Sequence, residues 1–519
     1  MKFSPRPTLP LVAAAAWFAL VFALVVWVWG LNPQALASPD EALNRLAAAL
    51  LSSSGRPFLA LPFPDPEDLA HPRHWVSVGD HAIPSYAPVA IYYYALLLRL
   101  GSVGFALSVA IPASAAAAFA AGTARLLPAG RQWLALAAPI LGFPAAYWLM
   151  RPWMNLSLLL TCVCWSFFFW AAWRRSGSSR DLTIAICAVG GAAAVRPDYA
   201  AYLLLVTLLL GVAASPTAWQ RVLSLVLLAG AGAVAVNLFL NWRITGHPLL
   251  AAYQIVAARD AGAGAEHGML GFIRQLLMPM GVPSPAMALR FLSRYWLQMG
   301  NIAGLTLAQL TLVPILLKQP RLVRTFHAVA LAVMLCFMLS HMDDELAGAG
   351  ETFALVHHSM PRYWSPLYLL AAVPPLVFLG DCKNRWLLLL GSAAMFALAL
   401  GGGYEICLNE RMSLVKLRAY EDRAVNSIHS FEQNLPKDAM VYSAAADKIL
   451  WPHWRIGTIA APDPTATSIS RATKAGLVVF LLRGNLERRQ FQALDGALKR
   501  LGLRLVKTHR PGLLRIAPA

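Results

Sequence analysis

Charge is what this chain has little of. Only 13% of its 519 residues are Asp, Glu, Lys or Arg while 58% are hydrophobic, which excludes a soluble globular domain of this size. Acidic residues are the scarcer kind, 25 against 43 Lys and Arg, for a formal charge of +18. In a soluble chain that excess would point to nucleic acid. Here much of it stands in short loops between apolar runs, where positive-inside bias and anionic lipid account for it, so no nucleic-acid partner is expected. Cysteine is sparse as well. Cys162, Cys164, Cys187 and Cys336 fall in apolar segments, Cys382 in a short basic loop and Cys407 after the last apolar run, and no pair has disulfide or zinc spacing. No internal repeat of solenoid period is visible.

Apolar runs are what the chain has in abundance. The first, Leu11 to Gly30, follows Lys2 and Arg6 and precedes Ala35-Leu36-Ala37-Ser38, which imitates a signal peptide and its cleavage site. About twenty apolar residues are enough to span a bilayer, so the run is read as an uncleaved first helix with a cytoplasmic N-terminus. Further runs follow at 86–100, 103–124, 132–150, 154–173, 182–195, 199–213, 221–241, 297–317, 325–340, 366–380 and 386–404. Pro112, Pro139 and Pro144 mark some of them as broken or tilted. Twelve full crossings would put the C-terminus inside and the basic loops near Arg174, Lys318 and Lys383 all outside, against positive-inside bias. One run must then fail to cross fully; the Ala-rich 103–124 run is the expected one, because only a failure before Arg174 brings all three loops inside, and the two short helices around Arg196-Pro197-Asp198, which would correct only the later two, are the second choice. The result is an α-helical polytopic membrane protein of about 11–13 transmembrane helices, multi-pass in the plasma (inner) membrane, occupying residues 1–407.

Three polar segments interrupt the runs, 31–83, 242–295 and 341–366, and the basic-loop rule puts all three on the outer face. The first combines the amphipathic run Leu43 to Leu51 with a Pro-rich piece, Pro57 to Pro72, and suits a folded loop at the membrane surface. From about 408 the composition changes. The tail, 408–519, reads as a small extracytoplasmic α/β domain: a helix over 410–433, strands at 439–443 and 477–482, a helix capped by Asn485, then strand pieces at 503–507 and 513–516. It carries no Gly-rich phosphate loop, nucleophile elbow or metal spacing, so a structural or docking appendage is expected.

Two adjacent carboxylates, Asp40 and Glu41, open the first polar segment directly after the first apolar run. Two readings of Asp40 stand side by side. Pro39-Asp40-Glu41 before an Ala- and Leu-rich run is good first-turn chemistry, which makes Asp40 a helix cap. A carboxylate at the edge of hydrocarbon is also partly desolvated and can serve as a base or metal ligand. Arg362 is a candidate for gripping phosphate with its planar fork, with Arg73 and Arg196 as weaker candidates whose plain readings are a surface salt bridge and an interfacial snorkel. His71, His74 and His81 invite a metal reading, which Pro72 counts against. Asp343-Asp344-Glu345 with His357-His358 could bind a divalent metal or the acceptor, though a solvated acidic loop is the default. No metal ligand is assigned.

In layout, residues 10–405 resemble the GT-C glycosyltransferases, and within them the bacterial protein O-mannosyltransferase and aminoarabinose transferase group. The resemblance rests on Asp40-Glu41 after the first helix, Pro84-Ser85-Tyr86-Ala87-Pro88 leading into an aromatic helix, Asn241 to Pro248 with Tyr253, and Pro361-Arg362-Tyr363-Trp364-Ser365-Pro366 before the last spans. It implies transfer of a sugar from a polyprenyl-phosphate donor to a glycan, lipid or protein acceptor, with inversion. Asp40 matches the first-loop general base and Glu41 its companion; Arg362, Tyr363, Arg73, His81, Arg196 and His247 are the substrate-binding candidates. Membrane lipids and the lipid-linked donor are the expected partners. The rival readings are a non-enzymatic carrier or flippase for a lipid-linked or anionic substrate, and an oligosaccharide ligase.

Overall fold

Apolar sequence of this length leaves the backbone no partner but itself, so it folds as helix. The computed structural model describes residues 8–30, 36, 38–86, 88–249, 252, 255, 285–291, 311–340, 359–409, 413–444, 446–450, 453–484 and 486–519. Among them, seven helices are long and apolar enough to cross a bilayer. Contacts divide the chain into two compact units. One comprises residues 1–30, 106–237 and 265–416, the other residues 31–105, 238–264 and 417–519.

The first unit is helical. α1 (Thr8–Trp29) is antiparallel in chain direction to α4 (Ser102–Leu126), and Ala129–Leu149 then runs back alongside α1. That return segment is a 3₁₀ stretch, Ala129–Ala137, followed by α5 (Ala138–Leu141) and α6 (Phe143–Leu149), with a proline in the first turn of each α piece. The indole of Trp17 donates to the Leu136 carbonyl at 3.1 Å and that of Trp29 to Met150 at 3.2 Å, so two buried tryptophans satisfy carbonyls along the broken segment.

α7 (Asn155–Ser176), α8 (Ser179–Val195), α9 (Pro197–Ala214) and α10 (Trp219–Thr245) follow as antiparallel neighbours in sequence. Small residues set their spacing: a Cβ on Gly190 would meet the Ala229 Cβ at 3.0 Å, and one on Gly211 the Val222 Cγ1 at 2.7 Å. Asn237 of α10 donates to the Ala194 carbonyl at 3.0 Å, near the other end of the same contact. The helices Pro285–Phe291, Arg321–Ser340, Ser359–Ala371, Val373–Asp381 and Arg385–Cys407 also belong to this unit. Arg131 ties its basic end together by donating to the carbonyls of Leu379, Gly380 and Cys382 at 2.9, 3.3 and 2.5 Å.

Helix length bears on the expected non-crossing run. The 103–124 run forms α4, 25 residues and about 37 Å long, ample for a hydrocarbon core of about 30 Å. The 86–100 run forms only α3 (Pro88–Arg99), 12 residues or about 18 Å, closed by Gly101 at φ 58°. It stands before Arg174, as the charge argument required. Periodicity does not separate the two, since both runs are apolar; the structure distinguishes them by length, the Gly101 turn ending the shorter one. The 182–213 region forms two helices broken at Arg196-Pro197, as expected. α10 continues to Thr245 and ends at Gly246, φ 75°, so the second polar segment starts a few residues later than expected.

The second unit joins the first polar segment to the tail. α2 (Pro39–Ser54) packs on α3, and β1 (Leu59–Ala60), β2 (Trp75–Val78) and β3 (His81–Pro84) form a small antiparallel sheet in the order β1-β3-β2. In the tail, β4 (Met440–Ser443), β5 (Arg455–Thr458), β6 (Val479–Leu482), β7 (Leu503–Lys507) and β8 (Leu513–Pro518) make a mixed sheet in the order β5-β4-β6-β8-β7. The helices Pro462–Lys474 and Arg488–Arg500 cover it. β5 and the helix from Pro462 were not anticipated. Pro462-Asp463-Pro464 reads as a turn, but Pro is at ease in a first helical turn, where its missing N–H costs nothing. The cap of the last helix is Glu487, whose capping-box partner is Gln490; Asn485 lies outside the described residues.

Phe63 and Ala70 of the first polar segment belong to the same apolar core as Met440, Tyr442, Ile469 and Leu481 of the tail. Thr458 donates its backbone N–H to the Leu69 carbonyl at 2.7 Å and its hydroxyl to the His71 carbonyl at 2.8 Å, and Arg471 pairs with Glu67 at 3.2 Å. Residues 59–78 and the tail are therefore one folded body. On α2, burial holds the Arg45 guanidinium down at about 10, with Glu421 of the helix Leu414–Glu432 pulling the other way.

Candidate functional site

Ser38 starts α2. Its hydroxyl accepts from the Asp40 N–H at 3.1 Å while the Glu41 carboxylate accepts from the Ser38 N–H at 3.1 Å, a complete capping box. Glu41 is 1% exposed and held in this cap. Asp40 and Glu41 stand in the first turn, as expected, but the N-cap residue is Ser38, and the Asp40 carboxylate also has a partner outside the helix.

It turns to two aromatic residues from after the Pro-rich piece. Tyr86 donates its hydroxyl to Asp40 Oδ1 at 2.7 Å, and His74 Nε2 stands 3.7 Å from the same oxygen. The His74 and Tyr86 rings stack with centroids 5.3 Å apart. His74 holds φ 64°, and it and Asp68 are the two non-glycine residues with positive φ among the described residues. The twist lets Trp75 enter β2 while the His74 carbonyl accepts from the Ser85 N–H at 2.9 Å, which draws His74 and Tyr86 together across the hairpin. Asp40, His74 and Tyr86 give a carboxylate, an imidazole and a phenol within reach of one another, a set able to take and pass a proton. Tyr86 stood in the sequence motif without a role, and His74 only as a metal candidate; neither spacing nor periodicity signals a contact made by a hairpin.

The other candidates in this unit are His81, His247 and Arg73. His81 opens β3, the central strand of the small sheet, pairs with Asp80 at 2.9 Å and stacks on Phe58 with ring centroids 4.7 Å apart. That bond and the imidazole's charge hold the exposed Asp80 carboxyl below its usual range. His247 is exposed in the turn after α10, where its backbone bonds with Thr245. Arg73, half-buried, neighbours His74 in the chain.

In the first unit, cations and aromatics gather at the end opposite the basic loops. Arg196 and Asp198 form a two-pronged pair, Nε to Oδ1 at 2.9 Å and Nη2 to Oδ2 at 2.5 Å. The Arg196 guanidinium lies 5.2 Å from the Tyr199 ring and 5.5 Å from that of Tyr363. Arg362 stands 5.5 Å from the Tyr363 ring, and its carbonyl accepts from the Tyr199 hydroxyl at 3.5 Å. Two arginines so share one aromatic wall, with cation–π support for both. Arg362 and Tyr363 sit in the first turns of a helix rather than in the expected loop. Arg151 was missed. It is 2% exposed beside Trp148, 5.2 Å from that ring, in the Arg151-Pro152-Trp153 link between α6 and α7. A lone Arg between two apolar runs was the available signal. Tyr253, the Asp343-Asp344-Glu345 run, His357 and His358 lie outside the described residues.

Comparison of the chain with protein-family models and with curated proteins gives no match.

Proposed function

We propose that this protein is an integral-membrane glycosyltransferase of GT-C type, moving a sugar from a polyprenyl-phosphate donor to an acceptor on the extracytoplasmic face of the plasma membrane. The observation that carries the reading is the Asp40 carboxylate, excluded from the helix cap by Ser38 and bonded by Tyr86. Displacing phosphate from an anomeric carbon with inversion needs a base for the incoming hydroxyl and cations for the leaving phosphate. Asp40 is assigned the base. Tyr86 orients it, and His74 passes the proton on. Arg362 and Arg196, on their shared aromatic wall, are assigned the phosphate, with Arg151 as a further candidate. Eleven passes follow if 297–317 crosses and α3 does not, with the N-terminus cytoplasmic and the tail outside.

A second reading rests on Arg196–Asp198 and Arg151, charges held inside the helical unit, as a carrier or flippase for an anionic lipid would need. Sugar transfer from a synthetic polyprenyl-phosphate donor, assayed for wild type and Asp40→Asn with donor affinity on the same preparations, separates the two. The enzyme reading requires wild-type turnover and its loss with donor binding retained; binding without turnover in the wild type supports the carrier.

A further inference from the structure

Away from Asp40, the Pro-rich piece carries a second polar cluster, Asp65, Asp68 and His71, in the body shared with the tail. Each offers one ligand atom, and these atoms all lie within 4.8 Å of one another. The cluster is inside the protein: Asp65 is 5% and His71 3% exposed. Asp65 Oδ2 is satisfied, accepting from the Ala70 N–H at 2.6 Å and the Ser77 hydroxyl at 3.1 Å. Asp65 Oδ1 is buried and has no hydrogen-bond partner among the described residues. A buried carboxylate oxygen without a donor is costly and calls for a cation or a proton.

The imidazole sharpens the requirement. His71 Nδ1 stands 2.8 Å from the Pro72 carbonyl, an acceptor, so Nδ1 carries a hydrogen. In the neutral ring Nε2 is then a lone pair, and it points at Asp68 Oδ1 from 2.7 Å. Two lone pairs at that distance need something positive between them. Asp68 Oδ1 also accepts from the Ser77 N–H at 2.5 Å. Nearby charge does not resolve the matter: Glu67 adds a third carboxylate, whose partner is Arg471, and its Oε2 is also buried without a donor. The excess is felt at Tyr442, whose hydroxyl is raised by burial first and by Asp65 and Glu67 besides, against the bond from Ser468.

We infer that Asp65, Asp68 and His71 form a divalent-cation site of the zinc class, bound through Asp65 Oδ1, the Asp68 carboxylate and His71 Nε2. One imidazole and two carboxylates suit zinc better than calcium or magnesium, which favour all-oxygen shells. The Nδ1–H bond to a backbone carbonyl is the support a ligating histidine ordinarily has, since it fixes ring and tautomer. Ligands of one zinc stand about 3.3 Å apart, so loading opens the 2.7 Å contact by about half an ångström. The role is structural. Asp68 and His71 flank Leu69, and the carbonyls of Leu69 and His71 hold Thr458 of β5, so a bound ion fastens the first polar segment to the tail sheet.

The experiment uses the full chain in detergent, stripped with chelator, titrated with Zn2+ and separately with Mn2+, then desalted for elemental analysis and thermal unfolding. The expected result is one equivalent of zinc retained, manganese held more weakly, and a rise in Tm on loading. Asp65→Asn can keep the Oδ2 bonds with its carbonyl oxygen and place an amide at the ligand position. It should match the stripped wild type in Tm and retain no zinc. Ser77→Ala removes a hydroxyl bond but no ligand and should still bind. The assignment is overturned if the stripped wild type takes up no zinc, the mark of an imidazolium bridging Asp68 and Pro72. It is equally overturned if Asp65→Asn binds as the wild type does. Should Asp65→Asn fail to fold, Asp68→Asn and His71→Gln serve, and zinc retention by both has the same overturning force.

Discussion

Tyr86 reaches back 46 residues to donate its hydroxyl to Asp40 Oδ1 at 2.7 Å, and that bond gives Asp40 a role distinct from helix capping. The neighbouring Ser38 does the capping. The two jobs therefore separate by mutation. Ser38→Ala should lower stability by about 1 kcal/mol, the usual cost of a lost cap, and leave turnover per folded molecule near normal. Asp40→Asn should leave thermal stability close to wild type and lower transfer by about 10² to 10⁴, the typical worth of a positioned general base. Equal turnover in the Asn variant and the wild type would remove Asp40 from the chemistry.

Tyr86→Phe tests orientation rather than proton transfer. The ring remains to stack on His74, so the hairpin should hold, while the carboxylate loses the donor that fixes it. Turnover should fall by less than in Asp40→Asn, with donor affinity unchanged, and the double variant should be no worse than Asp40→Asn alone. Additive losses would mean that Tyr86 acts independently of Asp40.

How much of this was legible beforehand depends on which interaction carries each feature. The apolar helices announce themselves, because burial along a whole helix leaves a run of about twenty residues. The acidic pair after the first helix was visible too. Which of Ser38 and Asp40 caps was not, since Ser-Pro-Asp-Glu satisfies the cap rules for both and only the rotamer of Glu41 decides. His74 became a partner of Asp40 through a positive φ that composition does not encode. The sharing of one core by Phe63, Ala70 and the tail was hidden for another reason: contacts across several hundred residues leave no periodic trace.

The Arg196–Asp198 pair makes a prediction of its own. Removing one member leaves a buried charge alone, typically a cost of 3 to 5 kcal/mol, reduced here to roughly half because both side chains keep some exposure. Asp198→Asn should therefore lower Tm while freeing the guanidinium fork, so an anionic lipid-phosphate should bind at least as tightly as to the wild type. Arg196→Gln should lower both. Unchanged lipid-phosphate affinity in Arg196→Gln would return Arg196 to a structural pair with Asp198.

Gly457 tests the tail sheet. A Cβ there would fall 2.5 Å from the Tyr442 ring, whose hydroxyl is tied to Ser468 at 2.7 Å, so the ring cannot swing aside without losing a buried bond. Gly457→Ala should cost about 1 to 3 kcal/mol by overpacking. Because β5 also carries Thr458, proteolysis of residues 59–78 should accelerate in the same variant. A Tm equal to wild type would show that the sheet relaxes around the added methyl.

The side on which the tail stands can be read by cysteine labelling in a background lacking the six natural cysteines. Ser443 is a poor reporter, at 3% exposed with its hydroxyl bonded to the Ala446 N–H. Arg489, exposed on the last helix, is a sound one for the tail, and Arg180 and Asn384 serve for the basic end of the helical unit. Arg131 bonds the chain around Gly380, and Arg221 bonds Ser179, so that end is built from cation-rich turns which positive-inside bias assigns to the cytoplasm. The helix Arg385–Cys407 runs from that end to the opposite one before the tail begins, as Trp133 stacking on Phe396 and the approach of Gly402 to Phe143 establish. A membrane-impermeant maleimide should then label Arg489→Cys on intact spheroplasts, and Arg180→Cys and Asn384→Cys only after lysis. Labelling of Arg489→Cys and Arg180→Cys together on intact cells would require a different number of passes between them, and with it a different side for Asp40.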